Sequence, residues 1–168
     1  SSFFSDAGPL SDVVEGVLQT AFLYAEDGAW DQAAEVMRDA LESDPEDPYL
    51  LCSLGLAERE LGMDGIAYER FKQVLATKSE DALLLATVGT AIAAFDDPSA
   101  EPALRTAALL APNLPQARWM YGAYLSREGM VDKALEELAA AAELDPEDPM
   151  IPLEQGVAQA FGGDFESA

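Results

Sequence analysis

The sequence predicts an all-α protein built as a solenoid of helix-turn-helix units, and three periodic series carry that expectation. Alanines recur at Ala33, Ala67, Ala100, Ala134 and Ala168, with steps of 34, 33, 34 and 34. A second series of small residues runs through Ala21, Gly55, Gly89, Gly122 and Gly156 at the same interval. A third, Ala40, Val74, Ala107 and Ala141, is followed five residues later by Pro45, Ser79, Pro112 and Pro146. The series share one register, including the same single-residue deletion. An interval of this length holds two helices of about 13–15 residues each and two short turns.

The elements follow in order. Helices are expected near 11–27, 31–43, 47–61, 65–77, 81–95, 99–110, 114–128, 132–144 and 149–161. Gly28, Gly62, Gly129 and Gly163 stand where the first helix of a pair ends, because a left-handed backbone is least strained at glycine. Asp31, Asp64, Asp132 and Asp164 follow within three residues and are expected to cap or charge-stabilise the second helix. Asp44-Pro45-Glu46-Asp47-Pro48 and Asp145-Pro146-Glu147-Asp148-Pro149 end one unit and open the next. Proline breaks the old helix and is tolerated in the first turn of the new one. Small residues at the recurring positions let helix axes approach closely where they cross.

Residues 1–13 lie outside the period. Phe3 and Phe4, set among Ser, Asp, Gly and Pro, read as an arm that packs on the first unit or is partly mobile, or whose phenylalanines occupy a groove in this molecule or a neighbour. The repeat region spans 14–168, as units 14–47, 48–81, 82–114 and 115–148 and a partial unit 149–168. The last segment, Asp164 to Ala168, opens a second helix one turn long. With Ser1 in place of a methionine, this predicts a piece of a longer chain or one that has lost a leader.

The pattern resembles the tetratricopeptide-repeat (TPR) family. The fourth copy is the clearest, with Tyr121-Gly122, Gly129, Ala134, Leu138, Ala141 and Pro146. The second carries Leu54-Gly55, Gly62, Ala67, Phe71 and Val74 but closes on Ser79. The third has lost its loop glycine, with Phe95-Asp96-Asp97-Pro98 at the turn. The resemblance covers about residues 14–168 and implies a right-handed α-α superhelix whose concave face, lined by first helices, receives a peptide. The family's inward-facing positions fall, among others, on Leu18, Phe22, Tyr49, Cys52, Leu56, Arg59, Leu83, Thr90, Gln116, Trp119, Ala123 and Leu153. Most are apolar, and Phe22, Tyr49 and Trp119 are large rings suited to anchoring a partner at low rotamer entropy. The lysines and asparagines with which chaperone-binding members hold a terminal carboxylate are missing, since Leu18, Phe22, Cys52, Leu56, Ala86 and Thr90 occupy those places.

Composition narrows the function. Thirty-two acidic residues against nine basic ones give a net charge of −23. Such a surface repels nucleic-acid phosphates and anionic lipid heads, so the expected partner is a protein or peptide with an apolar or basic segment, not nucleic acid. Acidic, lysine-poor surfaces are also the kind that high salt favours, because self-repulsion is then screened. No apolar run approaches the roughly 20 residues that span a bilayer, so direct membrane insertion is not expected, and nothing separates a cytoplasmic from a periplasmic location.

Histidine is absent and Cys52 is the only cysteine, so an imidazole-activated nucleophile is excluded. Neighbouring carboxylates such as Glu58 with Glu60, or Glu136 with Glu137, do not face each other on a helix. The acidic run 145–148 lacks the glycine and ligand spacing of a calcium loop. The expectation is therefore a non-enzymatic scaffold or adaptor with no cofactor and no metal. The alternatives are a segment of a longer array acting in self-association, through the truncated last repeat, or a regulatory domain; a role like that of secretion chaperones stays open.

Overall fold

The structure, a computed structural model, describes residues 10–163. Among these, nine helices and no strands occur, and the chain forms two compact units, Ser1–Leu84 and Leu85–Ala168. The first unit holds α1 (Asp12–Glu26), α2 (Trp30–Ser43), α3 (Pro48–Glu60) and α4 (Asp64–Ala76). The boundary falls inside α5 (Ala82–Ala93), which leads into α6 (Ala100–Leu110), α7 (Pro115–Arg127), α8 (Val131–Leu144) and α9 (Met150–Phe161) of the second unit. Each helix lies within two residues of its expected bounds. Residues 1–9 with Phe3 and Phe4, and 164–168 with Asp164, lie outside the described residues.

The punctuation of the helices follows elementary backbone chemistry. Gly28, Gly62, Gly129 and Gly163 all adopt positive φ, between 74° and 82°, just past the ends of α1, α3, α7 and α9. Where the third copy lacks that glycine, Asp96 takes the left-handed place at φ 53°, and Lys78 does so after α4 at φ 56°.

Of the two roles expected for the aspartates after the turns, capping and charge stabilisation, the second is the one their positions allow. Asp31, Asp64 and Asp132 lie in the first turns of α2, α4 and α8, past the N-cap positions, which are Ala29, Met63 and Met130 with no side-chain cap. These aspartates therefore act through their charge on the helix dipole and not as caps. The capping side chains instead open first helices. Ser11 Oγ accepts from Val14 N at 3.2 Å, and Asp47 Oδ1 accepts from Tyr49 N and Leu50 N at 3.0 and 2.9 Å. Asp81 Oδ1 does the same for Leu84 N at 3.0 Å, and Asp148 Oδ1 for Met150 N at 2.9 Å. Pro48 and Pro115 fill the first turns of α3 and α7, where no N–H is needed.

Both units bury a stripe from each helix. In the first, Leu18, Met37, Leu50, Leu54 and Phe71 are fully buried; in the second, Ile92, Leu104, Leu125, Leu138 and Ile151 are. Each such side chain contributes about 1.5–3 kcal/mol on burial. The small-residue series marks the close crossings. A Cβ on Gly55 would stand 2.7 Å from the Phe71 ring, one on Gly89 2.8 Å from Leu104 Cγ, and one on Gly122 2.8 Å from Leu138 Cγ. First and second helices of a pair therefore meet glycine against bulk. Gly156 on α9, the last of the series, has nothing within 4 Å.

Candidate partner-binding surface

The expected groove residues divide sharply by exposure. In the first unit, Leu18 and Cys52 are fully buried and Tyr49 is 2% exposed, so none of the three offers surface to a partner. The Tyr49 hydroxyl donates to Asp81 Oδ2 at 2.9 Å, tying α3 to the start of α5. Burial, then the Asp81 carboxylate, pushes its phenol pKa well above the usual value, and burial does the same for the Cys52 thiol. These side chains serve packing. Phe22, Leu56 and Leu83 are half-buried, and Arg59 is exposed.

In the second unit three of the expected residues meet. Thr90 of α5 and Trp119 and Ala123 of α7 line a cleft of about 360 Å³, together with Ala93, Met120, Tyr124, Arg127 and Glu154. The α7 members sit at spacings of three, four and eight residues, which places them along one helix face. Thr90 is exposed, and its hydroxyl donates to Ala86 O at 2.9 Å. Trp119 is half-buried, and its indole nitrogen is buried without a hydrogen-bond partner; the same holds for Gln116 Oε1, one turn earlier on α7. Buried polar atoms left unsatisfied are destabilising, and they are uncommon in native structures.

Charge around this cleft is arranged unevenly. Arg127 reaches α9 with a fork, Nη1 donating to Glu154 Oε2 at 3.2 Å and Nη2 to Oε1 at 3.5 Å, while Nη1 also donates to Ala123 O at 2.9 Å. Its charge is thus matched by Glu154, which is 6% exposed. Beside the cleft, a smaller depression of about 220 Å³ is walled by Asp96, Asp97, Glu128 and Tyr124. Burial, followed by the Glu128 and Glu101 carboxylates, raises the Tyr124 phenol pKa. An apolar floor therefore borders an acidic rim.

Sequence reasoning missed Tyr124 and Glu154. Tyr124 lies one place beyond an inward-facing position of its repeat, and Glu154 is reached only through a contact 27 residues distant in sequence. Leu153, by contrast, is 59% exposed on α9, away from this cleft. A depression of about 780 Å³ in the first unit lies between the turns at 45–48 and 77–80 and includes only Tyr49 of the expected residues. Its walls mix the carboxylates of Glu46, Asp47 and Glu80 with Leu51, Ala76 and Thr77. Among the described residues, no group of three or more Cys, Asp or Glu is placed to hold a metal ion. No described helix is long and apolar enough to cross a membrane.

Paired helices, glycine at the crossings and left-handed C-termini define the tetratricopeptide-repeat fold, and this chain has it. Similar solved structures agree. YrrB, a TPR protein with an unusual peptide-binding site, is 28% identical, with 86% of this chain and 75% of that one covered at a TM-score of 0.65. MamA from Desulfovibrio magneticus RS-1 is 20% identical, with coverages of 94% and 89% and a TM-score of 0.71. PilF of Pseudomonas aeruginosa is 21% identical, with coverages of 87% and 67% and a TM-score of 0.75. No protein-family model and no curated protein matches the sequence. Folds of this kind serve in general as scaffolds for protein–protein interaction.

Proposed function

We propose that this chain is a non-enzymatic adaptor that holds a short segment of a partner protein on the first-helix face of its second unit. The observation that carries the reading is the cleft at Trp119, with its apolar floor of Ala93, Ala123 and Met120 and its acidic rim of Asp96, Asp97 and Glu128. The segment that fits presents a bulky apolar side chain followed by a basic one. The apolar group displaces water from the floor, and the cation lies against the rim, where a chain of net charge −23 also speeds encounter. The peptide-binding site of YrrB supports the same class of activity.

Titration with a capped peptide holding one leucine beside two arginines tests this. Trp119→Ala is expected to weaken binding about tenfold or more. Glu128→Gln lowers affinity mainly at low salt. Unchanged affinity in Trp119→Ala, with helix content preserved by circular dichroism, would remove the cleft from the account.

A second reading, joining to further repeats or another copy, is favoured by α9. Leu153 and Phe161 are 59% and 55% exposed, and Gly156 faces open space. Light scattering decides it: mass that rises with concentration and reverts in Leu153→Ser/Phe161→Ser supports self-association, and a concentration-independent monomer counts against it.

A further inference from the structure

Cations are scarce in this chain, nine in 168 residues, yet three of them line one cleft of about 440 Å³ in the second unit. Arg105 of α6, Arg118 of α7 and Lys133 of α8 converge there around Tyr121, with Glu137 and the apolar Leu109 on the wall. This is a different place from the cleft at Trp119, and the reading below does not depend on that one.

Two of the three cations, Arg118 and Lys133, are held by hydrogen bonds. Arg118 Nε donates to Pro112 O at 3.1 Å and its Nη1 to Glu137 Oε2 at 2.9 Å. Lys133 Nζ donates to the Tyr121 hydroxyl oxygen at 3.3 Å and lies 5.6 Å from the ring centroid. Tyr121 in turn donates to Glu101 Oε1 at 2.8 Å, and Arg105 Nη1 stands 3.6 Å from Glu101 Oε2. Three cations thus share two carboxylates, and among the described residues Lys133 has no carboxylate within ion-pair distance. A body of strongly negative net charge carries here a local positive surplus in which the Arg118 and Lys133 donors are already oriented. Beside it, Leu109 is 74% exposed near the end of α6, next to Leu110 at 45%.

We infer that this cleft is a second binding site, for an acidic peptide segment that places a carboxylate on Lys133 and Arg105 and an apolar side chain on Leu109. Pre-positioned cations lose little rotamer entropy on contact, which favours a charged ligand that the net charge would otherwise turn away. Distance separates the two effects. At 0.15 M salt charges beyond about 8 Å are largely screened, whereas a contact pair persists. Affinity is therefore expected to rise as salt first screens the long-range repulsion and to fall as more salt weakens the contacts themselves. A uniformly negative surface gives no such maximum.

The test is a calorimetric titration of the whole chain with a short capped peptide of glutamates and aspartates around one leucine. Controls are the same peptide with glutamine and asparagine for its acids, and inorganic phosphate alone. Saturable binding of the acidic peptide only, lost by about tenfold or more in Arg105→Gln/Lys133→Gln and kept in Lys133→Arg, supports the assignment. Leu109→Ser, at an exposed position that leaves the core untouched, is expected to weaken it several-fold. Absence of binding across the salt range overturns the proposal, as does equal affinity for the neutral peptide or in Arg105→Gln/Lys133→Gln with its helix content intact. Phosphate bound as tightly as the peptide also overturns it, leaving a small-anion site.

Discussion

Gly55 of α3 meets Phe71 of α4 so closely that a single added carbon would stand 2.7 Å from Cε1 of the ring. Phe71 is fully buried, so the ring has no free space to turn into. Glycine is a poor residue for a helix interior, roughly 1 kcal/mol worse than alanine, and it is kept here because the crossing leaves no room.

Gly55→Ala is expected to lower stability by about 1–2 kcal/mol, overpacking outweighing the gain in helix propensity. Gly156→Ala, with nothing within 4 Å, is expected to raise it by about 0.5–1 kcal/mol. Denaturant unfolding of the two variants gives opposite shifts of the midpoint. A matching sign would mean that the crossing has space to give.

Glu58 is 1% exposed, and its Oε1 accepts from Arg70 Nε at 2.9 Å while Arg38 lies 3.8 Å from Oε2. Removing Arg70 leaves a carboxylate in the interior with only a distant partner. Arg70→Met is expected to cost roughly 2–4 kcal/mol, and Glu58→Met less. The double variant is expected to resemble Glu58→Met alone, which a double-mutant cycle reads directly. Additive losses would show that the two groups act separately.

Tyr49 and Tyr121 are both 2% exposed and donate to Asp81 and Glu101. Burial first, and the carboxylates second, raise both phenols above the ordinary value of 10.0. Above that pH the unfolded chain releases these protons and the folded chain retains them. The unfolded state then binds fewer protons, so stability falls as pH rises past about 10 and is fully present below it. Tyr49→Phe/Tyr121→Phe is expected to flatten that decline in chemical unfolding measured across the alkaline range. An unchanged slope would remove the two hydroxyls as its source.

Lys78 holds φ 56° just past α4, where α1, α3, α7 and α9 place glycine. A side chain in that conformation is strained by about 1–2 kcal/mol. Lys78→Gly is therefore expected to stabilise the chain by up to about 1 kcal/mol, the rest offset by the greater freedom of glycine when unfolded. Thermal unfolding checks the sign.

The helices were legible because period, glycine and proline each leave a local mark. Gly62 or Gly129 needs no knowledge of the rest of the chain to be read as a helix end. The left-handed place in the third copy was not legible, since Asp96 fills it without the usual residue. The site was harder to read for a different reason. A repeat position says which way a side chain points, not how deeply its neighbours cover it. Cys52 and Ala123 hold inward-facing positions, yet Cys52 lies wholly inside the first unit while Ala123 reaches the wall of an open cleft. Partners such as Glu154 for Arg127 or Asp81 for Tyr49 stand 27 and 32 residues away, and sequence spacing carries no sign of them.

The burial of Cys52 has a practical side. Its sulfur is sealed within the first unit, and desolvation holds it in the unreactive thiol form. Maleimide dyes and nitroxide spin labels will pass it over in the folded protein. A cysteine engineered at any exposed site would then be the sole handle for attachment. Pairs of such handles, one per unit, would let resonance energy transfer or electron-spin distances be compared with and without a partner.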